Sequence, residues 1–177
     1  AGGFDARGAT CGVYGGGSGG GGRIVVLYDT STFPHSNFTI HGGAEFGSSA
    51  HGSSGTVYLK DKQEATGDLI LDNAGVVTTL STPWRTTLTS FRSVTIRGLA
   101  KLSLTVADIT TLTVGQAVLL SGNGTLTLGS GVTLVITNAS GFDLDVSSGA
   151  TFNFESGSTL TADRVRVSGG VLNLRRD

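Results

Sequence analysis

The chain has 177 residues and a net charge of −1. That is long enough for one domain with a packed core, and it lacks the charge excess that marks nucleic-acid or anionic-membrane partners. Hydrophobic residues make up 38 % and charged ones only 14 %, which excludes the charge-rich composition of a disordered chain.

Glycine is abundant at 29 residues, with two prolines and no methionine. With Val, Thr, Leu and Ser filling most of the rest, strands and tight turns are expected rather than helices. No apolar run approaches the ~18 residues of a membrane helix, so membrane insertion is not expected. The opening "AGGFDARG" reads as the start of a processed chain or of a segment of a larger polypeptide. A lone cysteine, Cys11, excludes an internal disulfide framework. Its first reading is a small buried hydrophobe, and its second is a link to another subunit.

The first predicted strand follows a glycine block, "GGGSGGGG" at 15–22. Any such run contains G-x-G-x-x-G, but a dinucleotide site needs a strand before the motif and a helix after it. Here a strand follows. Gly16-x-Ser18-x-Gly20 fits the nucleophile-elbow spacing and fails the same test. The block is expected to form a tight, closely packed turn in an early coil, where glycine permits close backbone approach.

Period-two alternation then marks strands at "RIVVLY" (23–28), "NFTIH" (37–41), "TVYLK" (56–60), "DLILDN" (68–73), "SVTIRG" (93–98), "AKLSLTV" (100–106), "TLTV" (111–114) and "AVLLSG" (117–122). From Thr125 the pattern repeats. Thr125–Leu128 recurs as Thr133–Ile136, Asp143–Val146, Thr151–Phe154 and Thr159–Ala162, with "GSG", "SSG" and "ESG" turns among the connections. The expected inward set is Leu126, Leu128, Leu134, Ile136, Leu144, Val146, Phe152, Phe154, Leu160, Val165, Val167, Leu172 and Leu174.

Repetition with these turns, in place of the Asn-Gly pairs of tight hairpins, favours stacked coils over a sandwich or barrel. The expected fold is all-β: a right-handed, single-stranded parallel β-helix (β-solenoid). One domain is expected over 1–177, with Gly-rich early coils and longer loops over 1–60 and regular short-strand coils over 61–177. At about 20–25 residues per coil, seven or eight coils would make a rod ~35 Å long.

"GGGSGGGGRIVVLY", "HGGAEFGSSAHGSSGTVYLK" and "GDLILDNAG" resemble a recurring Gly-rich module of very large secreted and cell-surface proteins. The likeness covers about residues 12–75. It implies right-handed parallel β-helix repeats and an adhesin-like or fibre-forming, extracellular setting. It brings no catalytic residues and no cofactor.

The chemistry-bearing residues are sparse. His35, His41 and His51 have no metal-binding spacing and are expected as exposed loop residues. Asp143 and Asp145, two apart, are expected on one outer face, with Asp163, Arg164 and Arg166 a coil later. Carbohydrate-active β-helices need carboxylates so arranged, and Trp84, the single tryptophan, is the candidate sugar platform. The plainer readings are a solvated face and packing over an end or side of the core. Outward Thr125, Thr127, Thr133, Thr151, Thr159 and Thr161 suggest a hydroxyl–methyl array of the ice-binding kind, or simply β-branched residues on a wet strand face. Asn37, Asn123 and Asn138 head sequons and are candidate N-glycosylation sites.

The function expected is therefore non-enzymatic: an extracellular structural subunit or segment of a surface fibre, filament or adhesin. Its partners would be copies of itself stacked head to tail, or neighbouring coils of a larger chain, and glycans are a further candidate partner. The competing expectation is a carbohydrate-binding or polysaccharide-degrading β-helix protein.

Overall fold

The computed structural model describes residues 2–12, 17–31, 33–34, 37–44 and 51–175. It is an all-β solenoid of about four turns with essentially no helix. The regular coils run β7 (Ser93–Arg97), β8 (Lys101–Leu104), β9 (Thr111–Val114), then β10 (Val118–Leu120), β11 (Thr125–Leu128), β12 (Thr133–Ile136). The next coil is β13 (Leu144–Ser147), β14 (Thr151–Phe154), β15 (Thr159–Thr161), and the last holds β16 (Val165–Ser168) and β17 (Val171–Leu174). Before them stand β5 (Asp68–Asp72) and β6 (Ser90–Phe91).

Three stacks of strands form the sides of the coil. The first side contains β16-β13-β10-β7-β5, the second β17-β14-β11-β8 and the third β15-β12-β9-β6, and every pair in these runs is parallel. Register places like on like. Val94, Val118, Leu144 and Val165 form one column, and Leu102, Leu126, Phe152 and Leu172 another. Alternation sends these residues inward, where Val94 to Phe152 belong to one continuous buried cluster. Each fully buried side chain of this kind contributes roughly 1.5–3 kcal/mol, so the columns are the main source of stability.

The corner between the first and second sides is itself a ladder. Pairs of left-handed residues turn the chain at Ala74-Gly75, Gly98-Leu99, Gly122-Asn123 and Ser148-Gly149. Their backbones join from coil to coil: Gly75 N donates to Gly98 O at 3.0 Å, Leu99 N to Gly122 O at 2.9 Å, and Asn123 N to Ser148 O at 3.1 Å. A hydrogen-bonded turn stacked on its own equivalent satisfies backbone groups that a lone turn leaves to water.

The N-terminal third departs from the expected coils. β4 (Thr56–Asp61) pairs antiparallel with β5, as a hairpin, and β2 (Arg23–Tyr28) then adds parallel to β4 at the edge of the first side. The seven or eight coils expected are therefore about four, under an N-terminal layer of different build. β1 (Phe4–Asp5) and β3 (Phe38–Thr39) form a separate short pair, where Phe4, Phe33 and Phe38 lie 5.2–5.4 Å apart centre to centre. A second core of Ile40, Val57, Leu59 and Ile70 fills the space between this layer and the outer face of β4 and β5.

The glycines explain this layer. Among the described residues the block is not a turn but one of several extended segments laid against each other. Gly19 N donates to Ala9 O (3.0 Å), Gly21 N to Ser53 O (2.9 Å), Gly43 N to Gly19 O (2.8 Å) and Gly55 N to Ile40 O (2.6 Å). A Cβ on Gly21 or Gly55 would fall inside the carbonyl of Ile40 or Gly22 respectively. Only glycine lets backbones approach this closely. Gly15 and Gly16 lie outside the described residues.

Candidate functional site

The coil ends, rather than a cleft, carry the most unusual surface. β15, β16 and β17 each have a strand neighbour on one side only. Among the described residues, no strand stacks on the other side of their inward residues. Leu172 is 36 % exposed and Leu174 64 %, whereas Phe152, the register partner of Leu172, is fully buried. Val165 and Val167, register partners of the buried Leu144 and Val146, are exposed in the same way. The expected inward set is thus buried through Phe152, only partly buried at Phe154 and Leu160, and exposed from Val165 on, where no further strand stacks among the described residues.

Charged pairs clamp successive coils along the first side. Asp68 binds Arg92, 24 residues later, through Arg92 Nε at 2.9 Å and through Nη2, and also accepts Ser93 Oγ at 2.7 Å. This pairing raises the Arg92 pKa well above its ordinary value. Asp72 accepts from Arg97 Nε at 2.7 Å, and the two are register partners. Asp145 and Arg166 repeat the arrangement lower down, with the Arg166 guanidinium also 4.5 Å from the centre of the Phe142 ring. The Asp145 hydrogen bond raises the Arg166 pKa. None of these pairs is visible as a local motif, because each partner is one coil away.

Asp143 is the clearest correction. It does not share an outer face with Asp145. It precedes β13 at the corner, is buried, and its Oδ2 accepts the backbone N–H of Asp163 (2.6 Å) and of Arg164 (3.0 Å). The Arg164 amide, first, and then the Asp163 amide hold this carboxyl below its ordinary value against the opposing effect of burial. Arg164 Nη2 stands 3.9 Å from Oδ1 and donates to Asn138 O at 2.7 Å. Asp143 with Arg164 and Asp145 with Arg166 form two separate coil-to-coil clamps rather than one acidic outer face, and Asp143 Oδ1 is buried without a hydrogen-bond partner among the described residues. Trp84 is elsewhere. It packs edge-on to Phe91 (5.8 Å, 77°) at the other end of the solenoid, and β7 and β10 separate β5 from β13 on the first side. The three residues expected to contact a sugar do not form one site.

The remaining sites are dispersed. Asn37 Nδ2 donates to Gly2 O at 3.1 Å. Asn138 Nδ2 donates to Phe142 O at 2.9 Å, and its Oδ1 accepts Ser140 N at 3.1 Å. Asn123 is exposed at a corner with φ +60°. Cys11 is half-buried, and its backbone N–H donates to Ser18 Oγ at 3.3 Å. His41 and His51 hydrogen-bond the carbonyls of Gly42 and Val77, and His35 lies outside the described residues. Among the described residues no three His, Cys, Asp or Glu side chains gather as metal ligands. The threonines do align: Thr111, Thr133 and Thr159 form one column on the third side, and Val135 interrupts the next between Thr113 and Thr161.

Comparison with protein-family models, curated proteins and solved structures found no match for this chain.

Proposed function

We propose that the chain is a structural segment or subunit of an extracellular fibre, filament or adhesin, assembled by end-to-end stacking of β-solenoid coils. The observation that carries this reading is the open face of the last coil. There Val165, Val167, Leu172 and Leu174 continue the buried columns into exposure beside the outer edges of β16 and β17. An apolar face ringed by unpaired strand edges pairs readily with another such edge, and a head-to-tail contact that does not close builds a filament. The sequons and the Gly-rich module resembled by residues 12–75 support a secreted or cell-surface setting. No cofactor and no catalysis are part of the proposal.

Electron microscopy and sedimentation velocity across a concentration series test it. Filaments or oligomers that grow with concentration are the expected result. Replacing Leu172 and Leu174 together by aspartate should abolish them while leaving the circular dichroism of the monomer unchanged. Single-chain particles at every concentration, or assembly that the double variant leaves intact, would overturn the proposal.

A further inference from the structure

The N-terminal end of the solenoid is not closed in the same way as its interior. The first side continues upward through β5, β4 and β2, while the second and third sides stop at β8 and β6. The mismatch leaves a cavity of about 180 Å³ between them, walled by Val25, Tyr58, Trp84 and Phe91. Phe91 is the aromatic hub of this wall. Tyr58 meets it at 5.9 Å and 82°, and Trp84 at 5.8 Å and 77°. Two arginines, Arg23 and Arg85, also line the cavity and are exposed. Unlike those of Arg92, Arg97, Arg164 and Arg166, neither guanidinium has a hydrogen bond or ion pair to any described residue.

We infer that this cavity binds a small planar carboxylate with an apolar, aromatic body. The size admits one ring: an apolar cavity of about 150 Å³ accepts benzene. The aromatic wall offers edge and face contacts to such a ring. An unpaired guanidinium supplies the two parallel donors that a carboxylate fits best, and both arginines are available at the rim. A site with an apolar floor and few convergent polar groups is the usual form of a small-molecule pocket. A sugar acid carries the same charge but would bring unpaired hydroxyls onto the aromatic wall, at the cost of their hydration. The inference is independent of filament assembly.

Trp84, the single tryptophan, reports on its own pocket. Its emission in the full chain is titrated with benzoate, benzyl alcohol and glucuronate, and saturation-transfer NMR on each ligand gives a second readout. Benzoate is expected to bind with Kd on the order of 1 mM, with benzyl alcohol and glucuronate at least ~10-fold weaker for loss of the charge or of the apolar ring. The double variant Arg23→Gln, Arg85→Gln should lower benzoate to the level of benzyl alcohol while keeping the wild-type urea midpoint. Benzoate binding no tighter than benzyl alcohol would overturn the inference, as would glucuronate matching benzoate or a double variant that binds benzoate unchanged.

Discussion

Asp143 and Arg164 tie two consecutive coils together at one corner. The buried Oδ2 of the first accepts the backbone N–H of the second at 3.0 Å, and the neighbouring amide of Asp163 completes the fork at 2.6 Å. A carboxylate that takes two amide donors keeps its charge in a buried place. The last coil is thus held by a side chain from the coil before it, next to the face proposed for assembly.

The pH dependence of stability follows from this fork. The folded pKa of Asp143 lies below its ordinary value of 3.8. The unfolded chain therefore takes up the proton first as pH falls, so stability rises with pH across that window. The contribution is whole above about pH 5 and is lost as pH drops through the ordinary value to the lowered one. Urea midpoints measured from pH 6 to pH 2.5 should show a smaller acid loss in Asp143→Asn than in the parent chain. An equal acid loss in both would place the acid sensitivity elsewhere. Asp143→Ala should be less stable than Asp143→Asn at pH 7, since it strands both amides without an acceptor.

Leu99 sits at φ +66° in the corner ladder, at the position that Asn123 occupies one coil later. Left-handed backbone costs an ordinary L-residue roughly 1–2 kcal/mol, and asparagine tolerates it better. Leu99→Asn should hold stability within about 0.5 kcal/mol, strain relief offsetting the lost apolar contact. Leu99→Val keeps an apolar side chain but is β-branched, and should lose ~2 kcal/mol. Urea unfolding of the two variants side by side decides whether backbone conformation or apolar content governs this corner.

The glycine layer gives a similarly sharp contrast. Gly55 has the backbone of Gly21 and Gly22 where a Cβ would go, whereas Gly12 has nothing within 4 Å. Gly55→Ala should cost ~3 kcal/mol or more, as overpacking against backbone that cannot yield. Gly12→Ala should stay within ~0.5 kcal/mol. Hydrogen exchange would locate the damage of Gly55→Ala in residues 17–61 rather than in the coils from β7 on.

Much of the coil was legible beforehand. Alternation placed strands over RIVVLY, TLTV and the Thr125–Leu174 repeats nearly where they lie, because a strand with one buried face repeats every two residues whatever its neighbours are. The two-residue strands β1 and β6 were missed, being too short to show a period. The site was far less legible. Asp143 and Asp145 read as one face because alternation was carried one residue too far, into a corner where the backbone no longer follows it. The Arg92, Arg97 and Arg166 clamps were missed because their partners stand 21–25 residues away.

The sequence alone determined that short strands with apolar inner faces would stack in coils, since that signal is local and repeated. The tertiary structure decided how many coils there are, that β4 reverses against β5, and that glycines lie as close-packed extended segments. It also decided which apolar residues stay exposed at the last coil and which arginines remain unpaired around Trp84. Those features depend on which strand ends up beside which, and hydrogen-bonded pairing between residues far apart in sequence has no local pattern to announce it.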